Sequence, residues 1–217
     1  MKKLFVLAEL LGLFLAAAFS LATADDELGF KEDWSVDAKT FDLHAYEGIA
    51  IDKIDLKDIN IRIIDDEGDV TKGRIGDETW ISLAHDLYEA FAENLKTIVP
   101  LIESDEKEPG QDQDTKTHAL NFNIKVSGTF EHEDQRLLMQ MIKGKTPVNK
   151  SVPLTIECEL IDRQAQKTVA KFSASSEFST ADVQRPFTTP EEVEQFKALA
   201  DVWAGWVVKI LNAGEKK

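Results

Sequence analysis

Gly144-Lys145-Thr146 copies the end of a phosphate-binding loop, the first place where this chain could hold a nucleotide. The motif needs a glycine five residues earlier, where Met139 stands, and a helix afterwards, where Pro147 intervenes. Calcium is suggested by Asp65-Asp66-Glu67-Gly68-Asp69, because carboxylate oxygens suit a hard cation. Counting back from Gly68, however, puts Ile63 at the first ligand position, so this run and residues 111–114 read as solvated charge. His44, His85, His118 and His132 lie far apart, and Glu131-His132-Glu133-Asp134 reads as a polar turn rather than a metal site. Cys158 is the single cysteine, so no disulfide forms within the chain and no cysteine-rich zinc site exists. There is no Gly-x-Ser-x-Gly elbow and no glycine-rich dinucleotide turn. The sequence therefore points to no catalytic residue, cofactor or metal. Its reading is a non-enzymatic protein, and the rival is a small-ligand-binding or hydrolytic enzyme whose site leaves no signature.

Cys158 itself belongs to an alternating run. Val152, Leu154, Ile156, Cys158 and Leu160 share one parity, with Thr155, Glu157 and Glu159 on the other, as in a half-buried strand. Ala170, Phe172, Ala174 and Phe178 repeat the pattern against Lys171, Ser173, Ser175 and Glu177, and residues 162–167 form the loop of a hairpin. Leu120, Phe122, Ile124 and Val126 predict a third strand with one dry face. Earlier, Ile49 and Ile51, Ile54 and Leu56, then Ile59, Ile61 and Ile63 slip parity twice, which predicts bulges or two short strands.

Two helices must cover that dry face. Trp80, Leu83, Ala84, Leu87, Phe91, Leu95 and Ile98 form a stripe over residues 77–99, with Asp77 expected as N-cap. Thr189-Pro190-Glu191-Glu192 is a capping box with proline at the first helical position. Val193, Phe196, Ala200, Trp203, Val207 and Ile210 continue the helix to about residue 211, which makes Trp203 and Trp206 core residues rather than sugar platforms. A further short helix is expected within residues 131–150. The fold class is α+β: a two-layer sandwich with a mostly antiparallel four- to five-stranded sheet and two amphipathic helices on one face.

Lys2 and Lys3, an apolar run from Leu4 to Leu21 and Ala22-Thr23-Ala24 form a signal peptide over residues 1–24. Residues 25–44 then read as an extended arm, and residues 45–213 as a single domain. No later segment is apolar enough to span a bilayer, so the mature chain is not expected to be an integral membrane protein. The formal net charge of −15 argues against nucleic acid, whose phosphates need Lys and Arg. The expected compartment is the periplasm or the exterior.

Arg136, Gly144, Lys145 and Asp162, set around an apolar run and the hairpin, resemble a group of uncharacterised bacterial envelope proteins, mostly lipoproteins, that carry a domain of unknown function. The element order is also similar to the N-terminal α/β domain of the Tol-system translocation protein. These resemblances imply a role through contact with another envelope protein. The lipid-bearing cysteine of the group is absent here. The expected contact is the apolar cluster of Arg136, Leu137, Leu138, Met139, Met141, Ile142 and Lys145, whose methionines can repack against a partner.

The leader reading has a direct check. Intact mass of the exported protein should correspond to a chain beginning at Asp25, whereas a form retaining Met1 in the membrane fraction contradicts it.

Overall fold

The computed structural model describes residues 31–36, 42–65, 67–102, 118–133 and 150–214. Its elements are β1 (Lys31–Val36), a 3-10 turn (Leu43–Ala45), β2 (Ile49–Ile64), β3 (Val70–Gly73), α1 (Asp77–Leu95), β4 (Leu120–Glu133), β5 (Lys150–Asp162), β6 (Lys167–Thr180) and α2 (Pro190–Gly214). The strands form one sheet in the order β1-β6-β5-β4-β2-β3. Both helices lie against it, so the α+β class is as the patterns imply.

The sheet is mixed: β2 pairs with β4 in parallel, and the other pairings are antiparallel. It also has six strands rather than four or five. The two extra strands come from β3, whose four residues show no usable alternation, and from β1, where the expected arm pairs with β6. The two parity slips of β2 are one continuous strand with register shifts between Ile51 and Lys53 and between Asp55 and Asp58. Each shift returns an isoleucine or leucine to the dry side, which a straight strand of this sequence could not do.

Burial follows the alternation in the three central strands. Phe122, Ile124, Ile156, Cys158, Leu160, Phe172 and Phe178 are buried under the helices. At one end Phe187 stacks among Phe130, Phe178 and Phe196, with ring centroids at 5.6, 4.7 and 5.5 Å. Phe187 has φ 63°, a left-handed conformation costing a bulky residue on the order of 1–2 kcal/mol. Burying the ring offsets that by about 1.5–3 kcal/mol.

α1 differs from its expected start. Gly76 is the N-cap and gives no side-chain hydrogen bond, while Asp77 is the first helical residue and pairs with Arg74 at 3.1 Å. α2 begins as the capping box requires. The Glu192 amide donates to Thr189 Oγ1 at 3.2 Å, and Glu192 Oε2 accepts from the Thr188 and Thr189 amides at 3.0 and 3.3 Å. Thr180 Oγ1, at the end of β6, donates to Glu192 Oε1 at 2.5 Å and fixes the helix to the sheet. Trp203 is buried and donates through Nε1 to Ser176 Oγ at 3.1 Å, and Trp206 is buried beside Phe172.

The helices meet through Asp86 and Lys197 at 3.8 Å and, two turns on in both, through Asn94 and Gly205. Equal advance along both chains means that they run parallel. No helix among the described residues is long and apolar enough to cross a membrane. Where a short helix is expected within residues 131–150, β4 runs to Glu133, and residues 134–149, which carry the apolar cluster behind that expectation, lie outside the described residues.

Cys158 reports on this packing. Its thiol is buried and pushed well above its ordinary pKa, first by burial and then by Glu157. A maleimide reagent at pH 7.5 should label it slowly in the folded protein and quickly in denaturant. Rapid native labelling would place Cys158 on the open face and contradict the register.

Candidate functional site

The face of the sheet away from the helices carries an ordered array of charge. Strand register sets Lys53, Asn123, Glu159 and Lys171 side by side in one row, from β2 across β4 and β5 to β6. Asp55, Lys125, Glu157 and Ser173 form the next row. These residues line a groove of ≈ 530 Å³ with Asn123 in its lining. Asn123 Oδ1 is buried and, among the described residues, has no hydrogen-bond partner.

The charges of the groove are tied to one another. Lys125 Nζ lies 2.6 Å from Asp58 and 3.7 Å from Glu157, Lys171 Nζ lies 2.6 Å from Glu159, and Lys53 Nζ lies 3.2 Å from Asp55. The bond to Asp58 raises the Lys125 pKa, and the bond to Glu159 raises that of Lys171. Asp55 is lowered, chiefly by the Lys57 amide and further by Lys53. Each shift favours the charged form, so the groups are held as ions and not poised to exchange protons near neutrality. Cys158 lies on the reverse of the same strand, where no groove ligand reaches its sulfur.

A second polar cluster closes the end of the sheet. Asp162 Oδ1 accepts from the Gln164 and Ala165 amides, both at 2.8 Å, and Oδ2 accepts from Tyr46 Oη at 3.1 Å. The Tyr46 ring stacks on His118, with centroids 4.6 Å apart and planes at 12°. Burial, aided by Asp162, pushes Tyr46 up to about 12. Burial pushes Asp162 upward, but the Ala165 amide, Tyr46, the Gln164 amide and His118 outweigh it and leave the carboxyl below its ordinary range. With three donors in place, Asp162 acts as the clasp of the β5–β6 turn.

Among the residues singled out by sequence, the structure brings Asp162 to this clasp and seals Cys158 in the core. Arg136, Leu137, Leu138, Met139, Met141, Ile142, Gly144 and Lys145 lie outside the described residues. His44 and His85 are both exposed and on different elements, with His85 3.3 Å from Glu89. Asp65 Oδ1 accepts the Glu67 and Asp69 amides at 3.0 and 2.9 Å, so that acidic run is a hydrogen-bonded turn. Among the described residues no three metal-ligating side chains converge. Sequence reasoning passed over Lys53, Lys125 and Lys171. Their signal was the parity of Glu157, Glu159 and Lys171, but only register shows which charges are neighbours.

No family model matches the chain, and no curated protein matches it. Among solved structures it is similar to a Xanthomonas campestris protein described under the family model DUF330, at 14% identity and TM-score 0.43 over 79% of this chain and 88% of that one. It is also similar to PelC from Paraburkholderia phytofirmans, a dodecamer, in two crystal forms at 9% and 10% identity. Both forms give TM-score 0.39 over 84% of this chain and 96% of theirs. These likenesses add nothing to the Tol-system resemblance.

The Asp162 clasp gives a signed prediction. Its lowered pKa means that its stabilisation is full above the ordinary carboxylate pKa and is lost as pH falls through the folded value. Asp162→Ala should therefore cost about 1–3 kcal/mol at pH 7. The gap between wild type and variant should narrow as pH falls below the ordinary carboxylate range, and a gap that stays constant in thermal melts would exclude the clasp.

Proposed function

We propose that this chain is a non-enzymatic domain of the bacterial envelope, exported by its leader and acting by binding another envelope protein. The observation that carries this reading is the pairing of the groove's charges. An enzyme needs an acid, base or nucleophile held free beside its substrate. Lys53, Lys125, Lys171, Asp55, Glu157 and Glu159 are instead committed to one another. Such an array keeps the open face hydrated and resists indiscriminate association. The net charge of −15 fits a protein partner better than nucleic acid or an anionic lipid surface.

The test is crosslinking in intact cells that express the tagged full-length chain, followed by purification under denaturing conditions. The expected result is a discrete crosslinked species absent from the untagged strain. The reading fails if only the uncrosslinked chain returns. It fails equally if the purified protein hydrolyses ester, phosphate or glycoside reporters and Lys125→Met with Glu157→Gln abolishes that turnover.

A further inference from the structure

The outer edge of β2, together with the flank of α1 above it, forms a docking site that we propose receives an extended basic polypeptide segment as an added strand. The inference rests on the binding reading above and assigns that contact a place and a chemistry.

Three observations meet there. First, β2 has its inner edge on β4 throughout, but among the described residues its outer edge is covered only at its two ends. β3 pairs with Ile61 to Ile64. At the start, Ile49 donates to Pro100 O at 2.9 Å and accepts from the Ile102 amide at 3.0 Å. Over residues 51–60 no described strand pairs on that side, and such an edge presents amides and carbonyls in a row.

Second, α1 exposes apolar side chains above this gap. Leu83, Leu87 and Phe91 face the sheet, while Asp86 and Asn94 face α2. At 100° per residue, Ile81 and Tyr88 fall on the flank opposite α2. α1 packs on β2 and α2 on β6, so that flank overhangs the outer edge. Ile81 is 71% exposed and Tyr88 47%. A strand added to β2 would turn every second side chain toward Ile81 and Tyr88.

Third, the surroundings are acidic. Glu78 and Glu89 flank Ile81 and Tyr88 on α1, and Asp65, Glu67 and Asp69 occupy the turn between β2 and β3. Lys53 and Arg74 are paired with Asp55 and Asp77, and Lys57 and Lys72, which also lie along this margin, stand against Asp52, Asp58, Glu78 and Glu89. A second copy would bring two acidic edges of a −15 chain together, whereas a basic segment meets opposite charge. The two register shifts of β2, with the Lys57 amide held by Asp55 Oδ1 at 3.1 Å, blunt the edge against arbitrary strands and give the site selectivity.

The test uses the mature protein and a fluorescein-labelled twelve-residue peptide of alternating valine and lysine. Two controls replace either every lysine by glutamate or the two central valines by proline. The basic alternating peptide should bind by fluorescence anisotropy and should slow hydrogen exchange in residues 51–60. Ile81→Ser with Tyr88→Ser should weaken binding about tenfold without lowering the melting temperature, since both side chains are exposed. The proposal is overturned if the proline peptide binds equally, if protection appears elsewhere, or if the double variant binds like wild type. It is also overturned if the free protein sediments as a dimer with residues 51–60 already protected. Should the crosslinked envelope species survive in the double variant, the edge assignment falls while the binding reading stands. Loss of that species in the wild type would remove the reading itself.

Discussion

The parallel pairing of β2 with β4 is the constraint on which the rest of this fold depends. Two neighbouring strands that run the same way cannot be joined by a tight turn, so the chain must return across the sheet between them. α1 is that return, and its apolar stripe fixes which face of the sheet is covered. β5 and β6 then add by antiparallel pairing, and the chain leaves β6 at Thr180. Thr180 binds Glu192, the same carboxylate that caps α2, so the second helix starts against the sheet and runs parallel to the first. With both helices on one side, each of the three central strands must alternate apolar and polar residues along its whole length.

That alternation is why so much of the fold was legible in the residues alone. Phe122, Cys158 and Phe172 lie one per strand on the dry parity, and each is buried. Ile51, Ile54, Leu56 and Ile59 break parity in two places, and the register shifts occur in the same two intervals. What could not be read depends on partners distant in sequence. Strand direction is one case, since the alternation of β2 is the same whether β4 runs beside it or against it. β3 is another: Val70 to Gly73 form a strand only because β2 offers an edge there. Asp77 looked like a cap on composition, but Gly76 takes the cap position and leaves Asp77 inside the first turn, where its charge still favours the helix.

The open face follows a different logic. Glu157 and Glu159 are two residues apart on one strand and would repel each other if nothing intervened. Register places Lys125 beside the first and Lys171 beside the second, so each glutamate has a cation on a neighbouring strand. Such exposed pairs add little to stability because water screens them. Their consequence is specificity: a slip of β4 or β6 by one residue would break every cross-strand pair and bury lysine under the helices.

The same array explains why recognition would sit at the margin of the sheet rather than on its face. A ligand laid across the open face must compete with ion pairs that already satisfy each other, and it gains little after stripping their water. An edge is different, because its backbone groups lack a fixed partner and a strand that joins them gains hydrogen bonds without breaking existing ones. Along β2, among the described residues, β3 and Leu101 occupy the two ends of the outer edge and leave its bulged middle open. A bulge changes which amides point outward at each step, so a complementary strand must match that irregular spacing as well as the apolar flank above it. The parity slips that let β2 keep its isoleucines in the core therefore also give its outer edge a pattern of its own.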